Sequence, residues 1–275
     1  MWALFESVHA VTYFAPEARA SYEAAGLHGY WRGYFAGRVA PLGQVPAQTV
    51  TALFFSFAPA MVARAIPSIW SLVTPDEALR ARSTGAVEAL GRLLAPVDAG
   101  TVAEAADLIV TAAAHADLSG RALGAANAAV PVPDEPLARL WQATTTLREL
   151  RGDGHVAALV AAGLSGAEAV ALRCALDGDP QTVQPYRGWT DEQWGAALAA
   201  LGERGLVDEA GAATVEGRAL YERVEQATDR AASAPWRGLG SDATRRLAEL
   251  LAPLARAARA VVPQPNPIKL PPLPA

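Results

Sequence analysis

The sequence predicts a mainly α-helical protein, and two observations predict it. Alanine, leucine and arginine recur at helical spacing through most of the 275 residues, and helix start signals stand ahead of those runs. The composition, 52% hydrophobic and 19% charged, is too apolar for disorder and too interrupted by charge for a membrane span of about 20 apolar residues. Length alone allows about two units of roughly 150 residues.

Residues 2–14, 16–25 and 28–38 read as helices. Residues 49–57 read as helix or buried strand, because β-branched and aromatic residues run together there; helix is favoured. Thr74 ahead of Pro75, Asp76 and Glu77 supplies an N-cap, an N1 proline and an acidic first turn, so a helix is expected to about residue 94. Thr101 with Glu104 has the spacing of a capping box and opens a helix to about residue 116. Asp134 and Pro136 open the next, with Leu137, Leu140, Trp141, Leu147 and Leu150 on one side; it is expected to stop at Gly152.

Beyond Gly152, Asp153 and Gly154, residues 155–162 and 165–176 are expected as two short helices, and 177–180 as a turn. Thr190 with Gln193 starts a helix to residue 202 or 204, which Gly205 closes. A short hairpin with Gly211 at its tip is expected to follow. Helices return over 216–232 and 241–261. Six prolines in residues 263–275 exclude helix there and give a polyproline-like tail. The division that results is an aromatic-rich helical part over 1–130, a second part over 131–262 and the tail over 263–275.

Composition narrows the function. Cys174 is the sole cysteine, which removes an internal disulfide and any multi-thiolate metal site within one chain. Net charge is −5, and Lys269 is the one lysine, so there is no general pull toward nucleic acid or anionic lipid. The first residues lack the basic and long apolar stretches of a secretory signal, which places the chain in the cytoplasm and away from membranes. Of 19 aromatic residues, 13 fall before residue 74, so ring surface is concentrated where the rest of the chain uses alanine and leucine.

Residues 176–232 run helix, turn, helix, hairpin, long helix. Trp189, Thr190, Trp194, Leu198, Leu201, Leu206 and Val207, followed by Asp208, Gly211, Thr214, Val215, Gly217 and Arg218, resemble the winged helix of MarR-type regulators. The chain as a whole is also similar to an actinobacterial family described as helix-turn-helix, through His9–Phe14, Gly29–Arg38 with Pro41 and Gly43, and Arg151–His155. The MarR resemblance implies a recognition helix over 191–202 and a dimer that reads DNA. Yet that helix offers Asp191, Glu192, Gln193 and small residues where phosphate and base contact call for arginine, lysine or amide side chains. Between Tyr186 and Arg223 stand four arginines against seven acids, and the wing, Asp208 to Gly211, is itself acidic. Phosphate is repelled by that balance.

Candidate chemistry lies elsewhere. Glu6 and His9, at i and i+3, share a helical face, but no second Glu-x-x-His occurs and no metal is assigned. His9 and Tyr13 share a face with Phe5, as the polar spot of an aromatic pocket or as a core seam. In Arg151–His155, two glycines allow a corner, Asp153 is placed to cap a new helix, and His155 at its N-terminus tends to the neutral, basic form; the bland alternative is a routine helix corner. Tyr30, Trp31, Tyr34 and Phe35 form two i, i+4 pairs with Arg32 and Arg38 nearby, one pair suited to stacking on a planar ligand whose negative group an arginine, Arg32 by preference, neutralises. Phe54, Phe55 and Phe57 add apolar wall.

No nucleophile elbow, phosphate loop, dinucleotide fingerprint or zincin motif is present, and no cofactor is assigned. The expectation is a small-molecule-binding protein, open to catalysis, in which a winged helix no longer reads DNA and helps frame an aromatic-lined pocket. Its acid/base candidates are His9, His155 and Asp153, and its ligand contacts are Tyr13, Tyr30, Trp31, Arg32, Tyr34 and Phe55. The ligand is aromatic or anionic, and a homodimer is allowed. The alternatives are a MarR-like ligand-responsive regulator and an interaction protein whose proline tail engages a partner.

Overall fold

The computed structural model describes residues 1–264, 266, 268 and 270–273. Among them the helices, in chain order, are α1 (Trp2–His9), α2 (Val11–Phe14), α3 (Pro16–Ala24), α4 (Tyr30–Val39), α5 (Ala47–Phe54), α6 (Pro59–Ala63), α7 (Pro75–Leu93) and α8 (Ala99–Ala114). They continue with α9 (Ala122–Ala128), α10 (Pro136–Ala161), α11 (Gly166–Asp177), α12 (Pro180–Arg187), α13 (Asp191–Glu203), α14 (Val215–Ala231), α15 (Ala234–Leu239) and α16 (Ser241–Ala258). No strand occurs among the described residues, and residues 49–57 begin as helix, in α5.

Several starts follow their caps. At α7 the Thr74 hydroxyl accepts from the Glu77 N–H at 3.3 Å, while the Thr74 N–H donates to the Glu77 carboxylate at 2.7 Å. The same reciprocal box opens α11 with Ser165 and Glu168, and α13 with Thr190 and Gln193. At α8 the expected Thr101–Glu104 box does not form. The Thr101 N–H instead donates to the Asp98 carboxylate at 2.9 Å, and Glu104 is drawn to Arg246 at 2.7 Å. Aspartate is the stronger N-cap, so the helix begins earlier than threonine alone would set it.

The break expected at Gly152 is also absent. α10 runs unbroken through Gly152, Asp153 and Gly154. An interior glycine weakens a helix by about 0.5–1 kcal/mol relative to alanine. Burial of Leu140, Trp141, Leu147, Leu150 and Leu159 along α10 outweighs that loss. Asp153 is therefore a mid-helix residue rather than a cap, and no helix N-terminus exists there to receive an anion.

The turn expected at 177–180 holds a further helix start, since the Asp179 side chain accepts from the Thr182 N–H and Pro180 occupies the first position of α12. The expected hairpin shrinks to one antiparallel bridge, Val207 with Ala213. Its turn is tied by the Asp208 carboxylate, which accepts from the N–H groups of Ala210 and Ala212, and the Ala213 N–H leaves the ladder for the Ala175 carbonyl at 3.0 Å.

Two compact units interleave along the chain where the sequence reading divided it at 130/131. The first comprises Met1–Gln44, Ser68–Arg151 and Ala232–Ala275, the second Val45–Pro67 and Gly152–Ala231. In the first, α1 and α8 pack on α16, whose Leu247, Leu250, Leu251 and Leu254 form a buried stripe at helical spacing. α3 packs on α7, where Gly85 brings the backbones so close that a Cβ there would lie 2.6 Å from the Ala18 Cα. In the second, Leu172, Trp194, Leu201, Leu206, Val207 and Val224 form the core. The polyproline tail expected over 263–275 falls in part outside the described residues.

Candidate functional site

The first unit contains a cleft lined by the end of α1, by α2, α3, α4 and α7, and by Thr145 and Glu149 of α10. Glycine shapes one wall. On α4, Gly33 and Gly37 stand one turn apart and receive the Tyr22 side chain; a Cβ would lie 2.8 Å from its ring at Gly33 and 2.0 Å from its hydroxyl at Gly37. Gly29 begins α4 with φ of 88°, a conformation glycine adopts without strain.

His9, Tyr13 and Thr145 meet at the floor. The Thr145 hydroxyl donates to the Trp141 carbonyl at 2.9 Å, so its oxygen accepts from the His9 Nδ1–H at 3.0 Å. This assigns the His9 tautomer and leaves Nε2 to accept from the Tyr13 hydroxyl at 2.9 Å. His9, 2% exposed, also stacks on Trp141 with ring centroids 6.0 Å apart. Burial, reinforced by nearby Arg148, holds its imidazole well below the ordinary histidine value, so it is neutral. Burial likewise raises the Tyr13 hydroxyl above its ordinary value, which keeps it a donor. The chemistry available is a fixed neutral base joined to a phenolic hydroxyl.

Beside this triad lies a cluster of buried charges. Arg38 grips Glu149 with two parallel bonds, Nε to Oε1 at 2.8 Å and Nη2 to Oε2 at 2.7 Å, and donates to the Tyr34 hydroxyl at 2.9 Å. Burial works against the Glu149 charge, but Arg38 and Arg148 hold its carboxyl at about 2. Arg148 lies 3.5 Å from Glu149 and 3.7 Å from Glu6. Among the described residues Glu6 has no closer cation, and burial pushes its carboxyl up to about 7 against the pull of Arg148.

Of the residues expected from sequence, the cleft gathers His9, Tyr13, Tyr30 and Tyr34. Tyr30 stands at the mouth, 43% exposed, stacked on Tyr34 with centroids 6.0 Å apart. Trp31 packs edge-on to Tyr34 but does not line the cleft, and Arg32 points to solvent. Phe55 belongs to the second unit, as do Phe54 and Phe57. It adopts φ of 32°, and its carbonyl approaches so closely that a Cβ on Gly166 would lie 2.0 Å from it.

His155 and Asp153 are likewise in the second unit, where the Thr228 hydroxyl lies 3.0 Å from the His155 Nδ1. Every lining residue of the cleft comes from the first unit, so the helix-turn-helix segment does not frame it. Sequence reading missed Arg82, Thr145 and Glu149, and it placed Arg38 near the rings but chose Arg32 as the anion contact. Arg38 carries a signal in retrospect, one turn beyond Tyr34 on the same face; the α10 residues carry none, because their helix is buried over most of its surface. Among the described residues no three metal-binding side chains cluster, and no single helix is long and apolar enough to cross a membrane.

In the second unit, α11, α12, α13, the single bridge and α14 follow one another in helix-turn-helix order. α13 buries Trp194, Ala197 and Leu201 and turns Asp191, Glu192, Gln193, Ala196, Ala199 and Glu203 outward. Arg187 lies over the Phe57 ring at 4.4 Å, and Arg204 donates to the carbonyls of Gly163 and Ala162.

A family model described as a helix-turn-helix family matches residues 1–264. No curated protein and no solved structure matches the chain.

Proposed function

The chain belongs to that helix-turn-helix family, and from this premise we propose that it is a small-molecule-binding protein whose ligand occupies the cleft of the first unit. One observation carries the reading: His9, Tyr13, Tyr34, Arg38 and Glu149 converge there from three separated stretches of chain, with their polar atoms oriented by one another. Convergent polar groups in a partly aromatic concavity are the usual make-up of a ligand site. Tyr34 and Tyr30 offer ring faces, and the Tyr13 oxygen, held in place by the bond from its hydroxyl to His9, offers a fixed acceptor. The MarR-like resemblance of residues 176–232, with an outward face of α13 poor in cations, belongs to this proposal as a fold kept without duplex readout.

Native mass spectrometry of the protein purified from its own cells tests it. A non-covalent small-molecule mass is expected on the wild type and is expected to be lost from Tyr34→Ala, whose truncation opens the mouth. A bare protein that instead co-purifies with DNA would overturn the reading in favour of a second one, a ligand-responsive regulator, which the family description favours.

A further inference from the structure

The polar cluster beside the cleft carries more cation than anion. Arg38, Arg82 and Arg148 face Glu6 and Glu149, so one positive charge is in excess even with both carboxylates ionised, and protonation of Glu6 only enlarges the excess. Arg82 is the odd member. It is 4% exposed, lines the cleft and has no carboxylate within ion-pair distance among the described residues. Its Nη1 donates to the Gly37 carbonyl at 3.0 Å and to Asn127 Oδ1 at 3.1 Å, its Nη2 donates to Gln142 Oε1 at 3.3 Å, and its guanidinium carbon lies 5.4 Å from the Trp141 ring centroid. All these partners are neutral. Its Nε–H has no hydrogen-bond partner among the described residues.

A buried guanidinium without a counter-ion is costly, and an uncommitted donor on it adds to that cost. Both are relieved by one event, the arrival of an anion. We propose that the ligand is a small organic acid whose carboxylate pairs with Arg82 in the cleft. This rests on the cleft being a ligand site and adds the class of molecule it takes. A single excess charge matches a monoanion better than a phosphate dianion. A carboxylate is planar, as the guanidinium edge that receives it is planar. The body of the acid then lies toward Tyr34 and Tyr30.

Calorimetric titration of the full chain with benzoate, acetate, benzamide, acetamide and inorganic phosphate separates the possibilities. Each carboxylate should bind about tenfold or more tightly than its amide. Arg82→Met should erase that preference, and Arg32→Ala, at an exposed position outside the cleft, should retain it. Should Arg82→Met fail to fold, arginine-selective NMR of the wild type gives the answer: benzoate should shift the Arg82 Nε–H resonance and leave that of Arg32 in place. Equal binding of acid and amide would overturn the carboxylate proposal while leaving the cleft as a ligand site. Phosphate binding without carboxylate binding would also overturn it, and binding of none of these molecules would count against both.

Discussion

Glu6 shows how one residue can set the pH response of the first unit. Its side chain is buried, its nearest cation is 3.7 Å away, and one of its oxygens has no hydrogen-bond partner among the described residues. Burial therefore raises its carboxyl from 4.5 to about 7, with Arg148 opposing. A folded-state value above the unfolded one contributes stability that is fully present below about pH 4.5 and is lost as pH rises through about 7. Glu6→Gln removes this loss and leaves His9 and Glu149 as they are. Chemical denaturation at pH 5 and pH 8 should show the variant gaining on wild type by about 2–3 kcal/mol across that interval, because each tenfold change in proton affinity is worth roughly 1.4 kcal/mol. A difference that stays constant with pH would mean Glu6 is ionised throughout. Glu149 obeys the opposite sign, its contribution present above about pH 4.5 and lost toward pH 2, because Arg38 and Arg148 favour its charge.

At the scale of elements, α4 and α8 make separate demands. α4 can approach Tyr22 because Gly37 has no side chain, so Gly37→Ala forces a methyl into the space of the Tyr22 hydroxyl. Overpacking of this kind is expected to destabilise by about 1–3 kcal/mol in urea titration, and a neutral result would show that Tyr22 moves aside freely. At α8, Asp98→Ala should cost about 1 kcal/mol, and Thr101→Ala clearly less, if Asp98 is the cap. Thr74 and Thr190 are readable as helix starts because each cap is contained in four consecutive residues. Thr101–Glu104 misled because Glu104 is claimed by Arg246, distant in sequence. Gly152 and Gly154 misled for the converse reason: local weakness was visible, while the burial that overrides it was not. In the cleft, His9, Tyr13 and Tyr34 stood out as polar or aromatic groups at helical spacing. Arg82, Thr145 and Glu149 could not, since only the packing of α7 and α10 beside α4 gives them meaning.

For the molecule as a whole, the family's helix-turn-helix description and the chain's charge pull in different directions, and magnitudes decide between them. A protein that neutralises 6–10 phosphates loses roughly a thousandfold to a hundred-thousandfold in affinity between about 50 and 200 mM salt. Here the chain bears 23 lysines and arginines against 28 acids. Within 186–223, Arg187 and Arg204 are engaged with Phe57 and with the corner carbonyls, while Asp191, Glu192, Glu203, Asp208 and Glu209 are exposed. Too few cations remain on that stretch to supply such a slope. Fluorescence anisotropy with duplex DNA should therefore show no retention that survives about 200 mM salt, and a weak, shallow salt dependence below it. A steep slope with nanomolar affinity at low salt would reverse this conclusion, because it would require a cationic surface assembled from elsewhere in the chain or from a second copy. Replacing Asp191 and Glu192 by arginine discriminates further: if like-charge repulsion alone keeps DNA away, the double variant should gain salt-sensitive retention, whereas no gain would mean that the geometry of α13 as well as its sign has departed from duplex reading.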